Sequence, residues 1–166
     1  MTVAAGAYAY PLDRLVQALK YEHRLSLAHP LGHRLVVAIE RSLGSTKRPD
    51  AVVALPLAPP RQRERGFNQA IEIARVVARR VAMPLESGLV RTGNGAAQAS
   101  LPWAQRRRNV RGAFACSRSF DGRHVAIVDD VMTTGATLES AANALLQAGA
   151  ARVDAWVVAR TLPPSI

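Results

Sequence analysis

One ten-residue junction, Val128-Asp129-Asp130-Val131-Met132-Thr133-Thr134-Gly135-Ala136-Thr137, limits the fold of this chain more than any other stretch. Before it, Arg123-His124-Val125-Ala126-Ile127-Val128 is rich in β-branched residues, as a buried strand is. After it, residues 138–148 carry apolar side chains at helical spacing and stop at Gly149. The junction therefore sits where a strand hands over to a helix. In open α/β sheets ligands collect at the carboxyl ends of strands, where a helix N-terminus offers free amides and a partial positive charge to phosphate. Thr133, Thr134 and Thr137 supply hydroxyls, and Gly135 with the small Ala136 lets the backbone approach an anion closely. Asp129 and Asp130 would repel that anion, so they must face vicinal sugar hydroxyls, a divalent cation, or both. An ordinary acidic helix cap uses one acid and one threonine and leaves the rest of the set unexplained. The whole pattern asks for a sugar phosphate with magnesium.

The remaining periodicities set this junction in an alternating order of elements. Leu12, Leu15, Val16 and Leu19 share one face of a helix over residues 11–21, and Leu31, Leu35, Val36 and Ile39 repeat the pattern on the next. These two helices are expected to cover the sheet from outside. Residues 50–55 read as the first core strand, which breaks at Pro56 and Pro59-Pro60 into a loop of special conformation. Helical spacing resumes at Gly66 and runs through Phe67, Ile71, Ala74, Ala78 and Val81. A short strand is expected over 85–90, then a mobile loop over 92–98, then a short helix capped by Ser100. Residues 113–116 and 124–128 are expected as adjacent strand segments across a turn at Asp121-Gly122, with 153–159 closing the sheet. Such alternation predicts an α/β fold with a mainly parallel sheet flanked by helices. A chain of 166 residues can bury a core as one domain, here a helical cover over 1–45 and an α/β core over 50–161.

The formal charge is +10, and all the basic residues except Lys20 and Lys47 are arginines. Guanidinium forks bind phosphate bidentately and stack on bases, so this excess points to polyanionic partners; an arginine-rich genome is the alternative explanation. Arg61, Arg63 and Arg65 follow a strand end and precede a helix, which makes them candidates for holding phosphate. Arg106, Arg107, Arg108 and Arg111 are too closely spaced to share one helical face, so some of them point at solvent whatever the others do. Trp103 beside them can stack a base or simply pack. Asn68 and Gln69 can bind a phosphate or cap a helix. His23, His29, His33 and His124 show no metal spacing, and the single cysteine, Cys116, reads as a small core residue rather than a nucleophile. No segment reaches the roughly twenty apolar residues of a membrane span, and the first residues lack the features of a signal peptide, so a cytoplasmic protein without membrane insertion is expected.

The junction resembles the phosphoribosyl pyrophosphate (PRPP) loop of type I phosphoribosyltransferases. Leu19-Lys20-Tyr21, Pro56-Leu57, Arg65-Gly66-Phe67-Asn68-Gln69, and Gln98 followed by Arg106-Arg107-Arg108-Asn109-Val110-Arg111-Gly112-Ala113-Phe114 resemble the ComF family of competence proteins and its DNA-utilisation relatives. The resemblance implies a type I phosphoribosyltransferase-like fold whose PRPP loop is Asp129 to Thr137. Asp129 and Asp130 would be the catalytic acids and would hold Mg²⁺ directly or through water. Pro56, Leu57, Arg61, Arg63 and Arg65, with Arg106, Arg107, Arg108 and Arg111, would receive pyrophosphate or nucleic acid. It further implies a role in DNA uptake and natural transformation or DNA utilisation, with PRPP, single-stranded DNA and a competence helicase-like protein as partners. The alternatives are an active phosphoribosyltransferase of nucleotide metabolism, carrying the 5-phosphoribosyl group to a nitrogen acceptor, and a PRPP-sensing regulator. Members of the family commonly begin with a cysteine-rich zinc-binding segment. A lone cysteine cannot build a four-thiolate site, so that segment is expected to be absent here.

The charge pattern predicts single-stranded DNA binding whose affinity falls with salt at a log-log slope of about −0.7 per neutralised phosphate. Replacing Arg106, Arg107, Arg108 and Arg111 by serine should flatten that slope in an anisotropy titration. An unchanged affinity and slope would move the DNA surface elsewhere or make the charge compositional.

Overall fold

The computed structural model describes residues 1–44, 47–92 and 112–161. Its centre is a sheet of five strands in the order β1-β7-β6-β2-β3, every neighbouring pair parallel. The strands are β1 (Thr2–Ala4), β2 (Ala51–Ala54), β3 (Leu85–Glu86), β6 (His124–Met132) and β7 (Arg152–Arg160). Strands β4 (Leu89–Arg91) and β5 (Phe114–Cys116) form a separate antiparallel pair. The helices are α1 (Leu12–Tyr21), α2 (Ala28–Leu43), α3 (Pro59–Arg65), α4 (Gln69–Arg80) and α5 (Ala136–Gln147).

Strand alternation divides the core into two layers. Val52, Ala126, Val128, Trp156 and Val158 turn to the face covered by α1, α2 and α4. Val53, Val125, Ile127 and Val157 turn to the other face, against α5 and the rings of Phe114 and Phe120. Strands buried on both faces read as unbroken apolar runs, which is why β2 and the first half of β6 show no polar alternation. Each fully buried side chain of this size contributes about 1.5–3 kcal/mol.

Connectivity places the site. From β2 the chain crosses through α3 and α4 to β3 on one side, and from β6 it crosses through α5 to β7 on the other. Strands β2 and β6 are paired only from Ala51 with Val125 to Ala54 with Val128, and the Leu55 amide closes the ladder on Val128 O at 2.9 Å. Beyond that rung the two chains part, and β6 continues to Met132 against β7 alone. A crevice at the point where strand order reverses is the standard ligand position of an open α/β sheet.

Several expectations are corrected. The residues read as a loop after β2 form helix α3, with Pro59 and Pro60 in its first turn, where a missing N–H costs nothing. The strand expected over 85–90 is broken at Gly88, whose φ of +127° turns the chain out of the main sheet. Residues 113–116 therefore pair with β4 and are not adjacent to β6. Thr92, expected in a loop, extends that small sheet: its amide donates to Ala113 O at 2.9 Å and its hydroxyl to Gly112 O at 2.7 Å. Strand β7 does not close the sheet, because β1 pairs outside it; residues 2–4, read as part of a helical cover, are a strand. The Ser100-capped helix, Gln98, Trp103, Arg106, Arg107, Arg108 and Arg111 lie outside the described residues. Among the described residues no helix is long and apolar enough to cross a membrane.

The packing of α2 on α4 depends on Gly32, where an added Cβ would lie 2.7 Å from Val76 Cβ. Gly32→Ala should destabilise the protein by about 1–3 kcal/mol through overpacking, less the small gain in helix propensity. Urea denaturation measures it, and adding Val76→Ala should recover part of the loss.

Candidate active site where β2 and β6 part

A cleft of about 550 Å³ lies at the parting of the two strands. One wall is the end of β6 with the turn into α5: Asp129, Asp130, Val131, Met132, Thr133, Gly135, Ala136 and Thr137. The facing wall is Leu55, Pro56, Leu57 and Ala58 with Arg61 and Arg65 of α3. Lys20 and Tyr21 at the end of α1, Gln69 of α4 and Arg91 of β4 also line it.

At the turn, Gly135 has φ +81° and serves as the cap residue of α5 without a side-chain hydrogen bond. The left-handed conformation favours glycine, and the first-turn amides that follow have no intrahelical acceptor, so they can receive an anion. Thr133 and Thr137 flank them in the cleft.

The two carboxylates are held differently. Asp130 is nearly fully buried; its Oδ1 lies 3.0 Å from Lys20 Nζ, and its buried Oδ2 has no hydrogen-bond partner among the described residues. Half-buried Asp129 accepts the Asp130 amide on Oδ1 at 2.8 Å. Burial, and then the neighbouring Asp130 charge, push the Asp129 carboxyl well above the usual carboxylate range, against the pull of Lys20 and Arg91.

The arginines opposite are not ion-paired, although the Asp129 charge acts on Arg91 from beyond contact. No carboxylate lies within ion-pair distance of Arg61, Arg65 or Arg91 among the described residues. Arg65 is 8% exposed, its buried Nε has no partner among the described residues, its Nη1 donates to Gln69 Oε1 at 3.2 Å, and its guanidinium stacks 5.0 Å from the Tyr21 ring centroid. Arg91 lies 5.1 Å from the Phe114 ring centroid, and burial and the nearby Arg61 lower its pKa. A guanidinium cannot shed its proton in a protein, so a buried one without a carboxylate in range is free to receive an anion.

The model of the phosphoribosyl transferase domain matches residues 68–162. The chain is 37% identical over 163 residues to the DNA utilization protein YhgH of Escherichia coli K12, covering 96% of this chain and 72% of that one. It is 32% identical over 164 residues to competence protein F of Haemophilus influenzae, covering 95% and 72%. The chain belongs to the phosphoribosyl transferase family, in its competence protein F branch. The glutamine PRPP amidotransferase of B. subtilis, solved with ADP and GMP, shares the fold at TM-score 0.56 and 22% identity, covering 86% of this chain and 30% of that enzyme.

Most of the residues expected in a family site line one cleft, with informative exceptions. Thr134 is turned away: it lines a hollow on the other side with Leu138 and Asp154, and its hydroxyl accepts the Ala136 amide at 3.4 Å. Arg63 is exposed outside the cleft, because positions 61 and 65 share a helical face that 63 does not. Asn68 caps α4 by accepting the Ala70 amide at 2.9 Å and donates to Leu55 O at 3.0 Å, so it holds the wall rather than a ligand. Cys116 is half-buried, donates to Ala144 O at 3.5 Å, and burial raises its thiol pKa, all as for a structural cysteine. Sequence reasoning gave no role to Lys20, Tyr21 or Arg91. The Leu19-Lys20-Tyr21 run was the available signal for the first two; for Arg91 there was none.

Among the described residues no cluster of three or more His, Cys, Asp or Glu side chains could hold a metal. Two carboxylates do fit magnesium that keeps its waters and shares the phosphates of a substrate. Asp129→Asn removes a charge that burial and Asp130 disfavour while keeping the Oδ1 acceptor. It should therefore raise Tm by a few degrees, the effect of about 1 kcal/mol in a chain of this size. A fall in Tm in a thermal melt would mean that Lys20 and Arg91 outweigh the desolvation.

Proposed function

We propose that the cleft binds PRPP with magnesium and that the protein serves DNA uptake or DNA utilisation in the cytoplasm, a reading supported by relatives named a DNA utilization protein and a competence protein. The observation that carries this reading is the meeting, across one cleft, of an acid pair with a turn for phosphate and three arginines that form no ion pair among the described residues. The 5′-phosphate would sit on the turn at Thr133, Gly135, Ala136 and Thr137, and the ribose hydroxyls at Asp129 and Asp130. Arg61, Arg65 and Arg91 would face the pyrophosphate. Bound magnesium would neutralise charge developing on that leaving group. Single-stranded DNA and a helicase-like competence protein are the proposed partners, with Arg106, Arg107, Arg108 and Arg111 as the proposed DNA contacts.

Transfer to a nitrogen acceptor is the second reading, favoured by cationic side chains placed where a departing pyrophosphate gathers charge. Asp129 and Asp130 would then steady an oxocarbenium-like centre on the ribose, and no protein nucleophile is required.

The combined variant Asp129→Asn with Asp130→Asn should lose one to two decades of PRPP affinity in calorimetry with magnesium, since hydrogen bonds to charged groups are worth roughly 1.5–3 kcal/mol. Unchanged affinity would remove the PRPP reading. Pyrophosphate release is then measured with PRPP and magnesium alone, with each common base, with ammonia and with single-stranded DNA, against Asp130→Asn. Release that needs an acceptor and vanishes in the variant establishes a transferase. Tight binding without release under every condition leaves a PRPP-binding protein of DNA uptake.

A further inference from the structure

Lys20 belongs to α1, yet its ammonium reaches 3.0 Å from Asp130 Oδ1, with little of its side chain exposed. It takes the position beside the acid pair that a bound cation would otherwise seek, and the next residue, Tyr21, stacks on Arg65 across the cleft. Four cationic side chains, Lys20, Arg61, Arg65 and Arg91, line the cleft against two carboxylates, so the field inside repels a free divalent cation. A pyrophosphate ester reverses that field and brings oxygen ligands with it.

We propose that Lys20 is an internal counter-ion of the acid pair, which makes the cleft reject a free divalent cation and admit one only together with a pyrophosphate ester. The inference rests on the reading of the cleft as a PRPP site, and it assigns Lys20 to selectivity and positioning. Among the described residues Asp130 keeps its second oxygen, Oδ2, unpartnered for a sugar hydroxyl while Lys20 holds the first.

The probe is Mn²⁺, whose free form is counted by its electron paramagnetic resonance signal. Wild type without PRPP should leave Mn²⁺ free. Lys20→Met, which keeps the apolar stem, should bind Mn²⁺ alone at least about tenfold more tightly than wild type, the effect of removing one close like charge. Lys20→Arg should restore exclusion, and adding Asp130→Asn to Lys20→Met should abolish the gain. If Lys20→Met does not fold, Lys20→Gln carries the same expectation. The proposal is overturned if the folded Lys20 variants take up free Mn²⁺ no better than wild type, or if the gain survives Asp130→Asn. The PRPP reading fails separately: adding PRPP to wild type would then lower the free Mn²⁺ signal no further than the same PRPP does without protein, whatever Lys20→Met does with the metal alone.

Discussion

The last hydrogen bond between β2 and β6, from the Leu55 amide to Val128 O, is the rung on which the rest of the architecture turns. Up to it, β6 is satisfied on both edges; after it, only β7 remains, and the edge facing β2 opens into the cleft. The chain places its first acid one residue past that rung. An acid one residue earlier, at Val128, would lie in a fully buried core against the α1, α2 and α4 layer. Continued pairing with β7 keeps Asp129 to Met132 extended, so consecutive side chains alternate between faces. That alternation gives the carboxylates different surroundings: Asp130 meets Lys20 from α1, and Asp129 faces Arg91 and solvent.

The Arg65-Gly66-Phe67-Asn68-Gln69 run acquires a physical meaning as a brace. Arg65 ends α3, and Gly66 takes the left-handed φ of +72° that stops the helix. Phe67 packs its ring edge-on to His23 at 5.9 Å, tying the turn to the segment after α1. Asn68 starts α4 and holds the carbonyl of Leu55, and Gln69 reaches back to hold Arg65. Five consecutive residues thus fix the wall that faces the acid pair, and only Arg65 and Gln69 among them reach the cleft.

What was legible in the sequence follows from this division. The acids, the glycine and the threonines form a local pattern whose chemistry can be read from a few adjacent residues. The alternating order of strands and helices is likewise set by local periodicity. Thr134 and Arg63 were misassigned because a list of polar residues does not say which side of a turn or helix each one takes. Arg91 and Lys20 were given no role for a different reason. They arrive in the cleft from β4 and α1, about forty and more than one hundred residues before the acids, by tertiary packing that no local spacing records. Gly88 shows the same limit: one residue in a short apolar run diverts the chain into a second sheet, and so decides where Arg91 points.

The surplus of arginine can now be divided by environment. Arg75, Arg118, Arg123 and Arg152 are paired with carboxylates and stay largely at the surface, which an arginine-rich genome explains well enough. Arg65 cannot be explained that way. Burying a guanidinium with an unpartnered Nε and no carboxylate in range is unfavourable to folding, and a stack on Tyr21 with one hydrogen bond to Gln69 offsets only part of that cost. The same holds in the opposite sign for Asp129, whose carboxyl is pushed toward its neutral form by the fold around it. Both costs fall on the same cleft, and a ligand with hydroxyls for one wall and phosphates for the other would offset them together.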